Sequence, residues 1–357
     1  MKRHKLRIAL LFGGRSAEHE VSLASAAAIY RNIDKGRYSV SSIFIDKKGR
    51  WKPVASPLLK PEKLRAGPSS SFLPWDALPT LPRRVRADIY FPVLHGPYGE
   101  DGTIQGLLEM ADVPYVGAGV LASAAGMDKA VMKILFASRN LPIVRYRVFE
   151  EFEWEKSRPA VLGRIGKEFP PPFFVKPANL GSSVGISKVT RRGHSERALA
   201  QAFRYDRKVI VEEAIEGREI ECSVLGNDEP RASLPGEVIP HREFYDYRDK
   251  YIDGKTQFRI PADLPESTVR EVQRLSVEAY RAVGCSGMAR LDFFLEDRTG
   301  KLYVNEINTI PGFTEISMYP KLWGVSGIPF ARLIEELIRL GRERHRQKKR
   351  CLEKLPR

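Results

Sequence analysis

Two stretches, MARLDFF at residues 288–294 and YVNEIN at residues 303–308, decide how the C-terminal part of this chain folds. Polar and apolar residues alternate in both stretches, which is typical of β-strands with one buried face. The turn-forming run Asp-Arg-Thr-Gly at residues 297–300 lies between them. The pattern predicts two strands, over residues 287–296 and 301–308, that pair as an antiparallel hairpin.

Four polar side chains of this hairpin predict a binding site. Arg290 and Asp292 share one face of the first strand, and Glu306 and Asn308 share one face of the second. If Asp292 lies opposite Glu306, all four groups converge, whereas a slip of one residue separates them. Two carboxylates, an amide oxygen and a cation are suited to a Mg²⁺ ion that carries a phosphate. A solvated amphipathic hairpin is the alternative interpretation.

A second stretch, VKPANLGSSVGI at residues 175–186, predicts a phosphate-binding loop. A predicted strand ends at Lys176, and a loop rich in glycine and serine leads to the next strand. Glycine lets backbone N–H groups approach phosphate oxygens, while Lys176 and the serine hydroxyls add charge and donors. The loop lacks the GxxxxGK[ST] pattern of a Walker A motif. A glycine-rich hairpin loop with an exposed lysine is the alternative.

Three further stretches contain candidate site residues. LFGGRSAE at residues 11–18 places Glu18 at a helix N-terminus, where it could hold a substrate ammonium group. The helix dipole alone also favours a carboxylate there. His95 follows a predicted strand at the sheet edge where α/β proteins bind ligands, or it is a packed turn residue. The acidic strand end at residues 209–219 could receive an adenine amino group and ribose hydroxyls, or be simply solvated.

Composition excludes several protein classes. The 357 residues are 43% hydrophobic, with a mean hydropathy of -0.31 and no apolar run near the roughly 18 residues of a membrane helix. The net charge is +15, of which residues 1–7 carry +4 and residues 342–357 carry +6. These ends are predicted to be solvated tails, with a helix from about residue 328 running into the second. No basic groove with interleaved aromatics is visible, so neither nucleic acid nor a membrane is expected as a partner.

The three cysteines are widely spaced and form no CxxC pair. They predict neither a disulfide framework nor a zinc site, and they indicate a reducing compartment, the cytoplasm.

Strand and helix signals organise the rest of the chain. Strands predicted over residues 6–12, 38–46 and 88–94, with a helix over residues 18–33, favour a parallel α/β unit. The long polar and aromatic segment at residues 241–260 is predicted to be a functional lid or a disordered loop.

The order of these stretches resembles the D-alanine–D-alanine ligase family of the ATP-grasp superfamily. The resemblance spans nearly the whole chain, except the segment 47–86 and the tail after about residue 341. The matching stretches are Leu11–Leu23, His95–Glu109, Met127–Lys129, Val175–Val189, Val211–Cys222, Phe244–Tyr251, Gly287–Phe294 and Asn305–Pro320.

The resemblance implies an ATP-grasp fold of mixed α/β and α+β class. An N-terminal Rossmann-like (pre-ATP-grasp) domain is expected over residues 1–125. A central and a C-terminal ATP-grasp subdomain, over residues 126–226 and 227–341, are expected to hold ATP between them. The lid loop 241–260 belongs to the C-terminal subdomain, and residues 342–357 form a basic tail.

The resemblance also implies an ADP-forming ligase. ATP phosphorylates the carboxylate of one D-alanine, the amine of a second D-alanine attacks the acyl phosphate, and phosphate leaves. The dipeptide feeds peptidoglycan synthesis for the bacterial cell wall. The implied cofactors are ATP and two Mg²⁺ ions, with Mn²⁺ as an alternative, and a homodimer is expected.

Roles for individual residues follow from the resemblance. Glu18 would hold the ammonium group of the first D-alanine, and Ser182 would link Glu18 to Tyr251. Arg290 and the backbone of Gly312 would stabilise the oxyanion. The other assignments are nucleotide contacts at Lys129, Lys176, Ser183, Glu212, Glu213, Glu219 and Lys250, metal ligands at Asp292, Glu306 and Asn308, docking of the second D-alanine carboxylate at Ser317 and Met318, and His95 near the second amine.

Three questions stay open from the sequence. The presence of Tyr251 favours an amine acceptor, whereas an ATP-grasp ligase with D-lactate or D-serine as acceptor is an alternative. A non-catalytic basic protein that binds anions or nucleic acids is another, and its affinity would fall steeply with salt. The proton of the attacking ammonium could pass to His95, to the Ser182–Tyr251 network or to the phosphate itself.

Overall fold

The computed structural model describes residues 5–65, 85–181, 183–240 and 256–352. Residues 241–255 of the predicted lid therefore lie outside the described residues. Within the described ranges the strands form three β-sheets, which follow one another along the chain.

The N-terminal sheet is formed by β1 (Leu6–Gly13), β2 (Tyr38–Ile45), β3 (Trp51–Val54) and β4 (Ile89–Val93). Its spatial order is β3-β2-β1-β4, and β1 pairs in parallel with both β2 and β4. The apolar core of β1 is buried on both faces, as a central parallel strand covered by helices should be. The predicted strands and the parallel α/β unit are confirmed. The helices of this part are α1 (His19–Asn32), α2 (Pro61–Arg65), α3 (Thr103–Met110) and α4 (Val120–Met127).

The central sheet is antiparallel, with the order β5-β8-β6-β7. Apolar side chains such as Phe149, Trp154, Ile165 and Leu199 form a separate core between this sheet and its helices. The strands are β5 (Tyr146–Glu150), β6 (Phe173–Pro177), β7 (Ser187–Val189) and β8 (Lys208–Glu213), and the helices are α5 (Lys129–Ser138), α6 (Glu151–Lys156), α7 (Arg158–Glu168) and α8 (Ser195–Ala202).

The third sheet has the order β12-β11-β9-β13-β14, with β10 on β9. Because β9 pairs with β13 over its whole length, residues 217–226 belong to this sheet. The division of the chain into domains at residues 125, 226 and 341 stays a prediction. The elements are β9 (Gly217–Gly226), β10 (Arg231–Ala232), β11 (Gly236–Ile239), β12 (Gln257–Arg259), α9 (Glu266–Ala282), β13 (Gly287–Glu296), β14 (Leu302–Asn308), α10 (Met318–Val325) and α11 (Phe330–Leu352).

Two features of the described part of the chain concern its helices and its cysteines. None of its helices combines the length and the apolar character needed to cross a bilayer. All three cysteines are free thiols, with Cys222 and Cys285 buried and Cys351 exposed. Burial raises the pKa of Cys222 to about 11 and that of Cys285 to about 12, so both stay protonated.

Helix α11 connects the first and third sheets. Its apolar residues Leu333, Ile334 and Leu337 lie in the same buried cluster as the N-terminal sheet, together with Leu225 and Met288 of the third sheet. The helix begins near the predicted position. The prediction of a solvated tail from residue 342 is wrong as far as Leu352, because α11 continues to that residue and its basic end contacts the rest of the protein. The reason is that polar side chains of this end find partners on the protein surface.

Arg344 makes the most extensive of these contacts. Its guanidinium lies 4.1 Å from the ring centroid of Tyr115 and donates hydrogen bonds to the carbonyl oxygens of Tyr115 and Gly117 and to the hydroxyl of Ser286. Gly341, one turn earlier, allows this approach, because a Cβ atom there would lie 2.5 Å from the carbonyl oxygen of Tyr115. One side chain thus ties α11 to the N-terminal and third sheets.

Replacing Arg344→Ala should lower the free energy of unfolding by about 2 kcal/mol, because it removes charged hydrogen bonds and a cation–π contact. Thermal and urea unfolding measure the loss. The exposed Arg346→Ala on the same helix serves as the matched control and should change stability by less than about 0.5 kcal/mol. Equal free energies of unfolding for the two variants would show that the contacts of Arg344 do not contribute to stability.

Candidate active site

The β13–β14 hairpin has the register that the sequence predicts at its polar end. Asp292 lies opposite Glu306, and Arg290 lies opposite Asn308. Nearer the turn the pairing differs by one residue, since Phe293 lies opposite Val304. A β-bulge at this point leaves Asn305 as an extra residue. Without it Asp292 would face Asn305, so the bulge brings the four polar side chains to one face.

Arg290 is held between two carboxylates. Its Nε and Nη2 atoms donate to the two carboxylate oxygens of Asp292, both at 2.7 Å, and its Nε lies 3.0 Å from Glu221 Oε2 on the neighbouring strand β9. Burial alone would lower the pKa of Arg290, but Asp292 and Glu221 raise it, so the guanidinium stays charged. Asn308 Nδ2 donates to Asp292 at 3.0 Å and completes the cluster.

Two neighbouring cavities meet at this cluster. The larger, about 830 Å³, contains on its walls the predicted residues Glu18, His95, Lys129, Arg290, Glu306, Asn308, Gly312, Ser317 and Met318. The smaller, about 90 Å³, contains Lys129, Lys176, Ser183, Glu219, Asp292 and Glu306. Lys129 and Glu306 belong to both walls. The residues predicted for the amino acid and those predicted for the nucleotide therefore lie on opposite sides of a shared boundary.

The Glu18 carboxylate lies between two loops. Gly96, with a φ of 74°, comes so close that a Cβ atom there would lie 2.7 Å from Glu18 Oε2. A Cβ atom on Gly181, in the glycine-rich loop of the central sheet, would lie 3.2 Å from the same oxygen. Glycine at these positions leaves room for the carboxylate, which sits where the N-terminal and central sheets approach each other.

His95 is buried in the wall of the larger cavity. Its Nδ1 lies 3.0 Å from the carbonyl oxygen of Ile310, which can only accept, so Nδ1 carries a proton. Its Nε2 lies 3.2 Å from the hydroxyl of Ser25. Burial lowers the pKa of His95, but Glu100, 3.9 Å away, outweighs this effect and raises it. Burial in turn raises the pKa of Glu100.

Three of the predicted nucleotide residues differ in their position relative to the cavities. Lys129 donates to the carbonyl oxygen of Leu180 at 2.6 Å and faces the cavities. Glu212 does not line either cavity, because it is buried behind the wall and contacts Lys176 at 2.6 Å. Glu213 is half-buried and accepts a hydrogen bond from the backbone N–H of Arg145. Nucleotide contact by Glu212 and Glu213 stays a prediction.

The docking segment for the second carboxylate precedes helix α10. Ser317 occupies the N-cap position, and its Oγ accepts from the backbone N–H of Thr314 at 3.0 Å. Met318 is buried in a small apolar cluster with Val238 and Leu322. Three further predicted site residues, Ser182, Lys250 and Tyr251, lie outside the described residues.

Sequence reasoning missed three acidic or basic groups. Glu221 follows Glu219 by two residues on β9, so strand alternation places it on the same face. Lys133 follows Lys129 by one helical turn on α5. Glu100 lies five residues after His95 and contacts it. Glu221 and Lys133 could have been found by extending the strand and helix periodicity from residues already identified, whereas Glu100 lies in a turn, where no such periodicity applies.

The oxygen donors of Asp292, Glu306 and Asn308 fit a Mg²⁺ ion. Mg²⁺ typically takes one or two protein carboxylates and fills its remaining positions with phosphate oxygens and water. Within the described ranges no group of three His, Cys, Asp or Glu side chains forms a metal-binding cluster by itself.

Comparison with known proteins agrees with this geometry. Residues 7–118 match the family model described as D-ala D-ala ligase N-terminus, and residues 135–339 match the model described as D-ala D-ala ligase C-terminus. A curated D-alanine–D-alanine ligase from Solibacter usitatus is 52% identical over 344 residues, which cover 96% of this chain and 98% of the relative.

Two solved structures are similar over nearly their whole length. The D-alanine-D-alanine ligase from Coxiella burnetii has a TM-score of 0.85 and 39% identity, covering 98% of this chain and 97% of that one. The VanG D-Ala:D-Ser ligase from Enterococcus faecalis has a TM-score of 0.83 and 35% identity, and the match covers 95% of this chain and 100% of that one. With both family models matched in order and the ATP-grasp architecture in place, this chain belongs to the D-alanine–D-alanine ligase family.

Proposed function

We propose that this protein joins two molecules of D-alanine at the expense of ATP, through an acyl phosphate, and releases ADP and phosphate. The dipeptide serves peptidoglycan synthesis. The observation that carries the proposal is the shared boundary of the two cavities, where Arg290, Asp292, Glu306 and Lys129 meet. A phosphoryl group can pass at that boundary from a nucleotide on one side to a carboxylate on the other.

The nucleotide side is supplied with positive charge. Lys129 and Lys176 lie on the wall of the smaller cavity, where they attract the phosphates of ATP. Asp292, Glu306 and Asn308 would hold a Mg²⁺ ion, which would supply positive charge to the phosphate oxygens. Two ions, with Mn²⁺ as an alternative, follow the family expectation. Ser183, Glu219 and Lys250 are further proposed contacts to the nucleotide.

The amino-acid side orients two D-alanine molecules. Glu18 accepts hydrogen bonds from the ammonium group of the first, and Ser317 with Met318 docks the carboxylate of the second. Arg290 and the backbone N–H of Gly312 face the charge that develops on the attacked carbonyl. The alignment of amine and acyl phosphate in one cavity supplies proximity.

Acyl phosphates hydrolyse, so water must be excluded between the two steps. The segment 241–260, with Lys250 and Tyr251, is proposed to close over the site, and Ser182 is proposed to link it to Glu18. The attacking ammonium loses a proton to His95, to the Ser182–Tyr251 network or to the phosphate. The homodimer and the cytoplasmic location are family expectations that we extend to this chain.

A second candidate function differs from the first in the acceptor substrate. The similar VanG structure is that of a D-Ala:D-Ser ligase, so D-serine is the alternative acceptor. Both reactions use the same nucleotide side and the same first D-alanine. They differ only in the group that occupies the acceptor end of the larger cavity.

D-alanine should stimulate ADP formation by the purified protein, and L-alanine should not. With D-alanine as donor, turnover with D-alanine as acceptor should exceed that with D-serine or D-lactate by at least about tenfold at neutral pH. A coupled ADP assay with product identification by mass spectrometry measures this. ADP formation that ignores D-alanine would contradict the proposed function, and preferred formation of D-alanyl-D-serine would select the second one.

Asp292→Asn should lower kcat by about 10²–10³-fold, the usual loss when a group that stabilises transition-state charge is removed. It should also raise the Mg²⁺ concentration needed for half-maximal rate, because one anionic ligand is lost. The exposed turn residue Asp297→Asn is the matched control and should keep both values. An unchanged Mg²⁺ requirement in Asp292→Asn would refute the ligand assignment.

Glu18→Gln should raise the KM for D-alanine by roughly 10–100-fold, since a charged hydrogen bond to the substrate ammonium is lost. The KM for ATP should stay within about twofold, because the change lies on the amino-acid side. The matched control is Glu196→Gln, in the first turn of α8; its exposed carboxylate forms an ion pair with Arg158 and lines neither cavity. A parallel rise in both KM values would argue for a general structural effect instead.

A further inference from the structure

A buried charge cluster lies directly behind the nucleotide wall. Glu212, at the end of β8, is 1% exposed, and two lysines share its carboxylate. Lys176 Nζ lies 2.6 Å from Glu212 Oε2, and Lys133 Nζ lies 3.1 Å from Glu212 Oε1. Two lysine side chains thus contact one carboxylate in this cluster.

The two lysines have different access to the cavities. Lys176 is on the wall of the smaller cavity, whereas Lys133 is fully buried and on the wall of neither. Lys133 therefore cannot reach a nucleotide. It comes from α5, one turn after Lys129, so the same helix supplies one lysine to the cavity and one to the layer behind it.

Aromatic rings hold the cluster in place. Tyr146 on β5 and Phe174 on β6 lie opposite Glu212 in the sheet. Lys133 Nζ lies 5.8 Å from the ring centroid of Tyr146, and Lys176 Nζ lies 5.6 Å from that of Phe174. Rings at these distances stabilise ammonium groups that are shielded from solvent.

The charges are mutually dependent. Burial alone would raise the pKa of Glu212, but Lys133 and Lys176 lower it to about 2, so it is ionised at neutral pH. Burial alone would lower the pKa of Lys176, but Glu212 outweighs this effect and raises it. Burial lowers the pKa of Lys133, and Glu212 opposes that change.

A carboxylate paired with Lys176 alone would form a neutral pair and cancel much of the attraction that this lysine exerts on phosphate. The second cation changes that balance, because Glu212 keeps a partner when Lys176 turns toward a phosphate. We infer that Lys133 is a positioning residue for ATP, which binds the Glu212 carboxylate from behind and thereby leaves Lys176 available to the nucleotide. This inference rests on the proposed function only in naming ATP as the ligand.

The test is a double-mutant cycle of Lys133→Met, Glu212→Gln and the combined variant. Lys133→Met should raise the KM and the dissociation constant for ATP about tenfold and leave the KM for D-alanine within about twofold. In the Glu212→Gln background the same change should have less than about a twofold effect, because the charge through which Lys133 acts is absent. Lys133→Arg, which keeps the charge, should bind ATP more tightly than Lys133→Met.

Steady-state kinetics and calorimetric titration with ATP supply the readouts. An equal effect of Lys133→Met in both backgrounds, or an equal rise in the KM for D-alanine, would overturn the inference. If Lys133→Met does not fold, the combined variant is compared with Glu212→Gln alone, and a difference above about twofold in ATP binding would overturn it. If the wild-type protein binds ATP but forms no ADP with D-alanine, the proposed function fails, while the binding cycle still decides the role of Lys133.

Discussion

The contact between Arg290 and its carboxylate partners is the constraint on which the site depends. The guanidinium bridges strands β9 and β13, and Asn308 on β14 joins the same cluster through Asp292. Breaking a buried ion pair by moving one partner away leaves an uncompensated charge, which is strongly destabilising. The three strands are therefore fixed in register relative to one another. Everything that must meet at the cluster is positioned by that register.

The site lies at the junction of three sheets rather than within one of them. Glu18 comes from the loop after β1, Lys129 and Lys176 come from the central part, and Arg290 comes from the third sheet. Such a junction is useful only if the sheets keep their relative positions. The packing of α11 on the N-terminal sheet and the contacts of Arg344 hold the first and third sheets together, so the basic end of α11 has a structural role.

The charges around the cavities are arranged for anionic ligands. A reaction that gathers phosphate oxygens and carboxylates creates strong repulsion in a partly dry site, where charges interact more strongly than in water. Cationic side chains offset this repulsion, and carboxylates hold them in place. Arg290 lies between Asp292 and Glu221, and Lys176 lies beside Glu212. These pairs keep the cations charged and oriented without neutralising all of them.

The sequence alone determined the strands of the site hairpin and its polar face, because period-two alternation assigns side chains to faces. It also identified Glu18, Lys129 and Lys176 through glycine-rich turns and the order of motifs. The alternation and the glycine-rich turns are local signals, whereas the role of Lys129 is implied by the resemblance to a known family.

Only the tertiary structure decided three other points. The bulge at Asn305 shifts the hairpin into the register in which Asp292 lies opposite Glu306. The burial of Glu212 between two lysines depends on a helix and a sheet that are distant in sequence. The docking of the basic end of α11 arises in the same way, since the partners of Arg344 come from two other parts of the chain. Contacts between residues that are distant in sequence produce no periodic pattern. The charged residues that make them are equally common on a solvated surface, so the sequence does not distinguish the two cases.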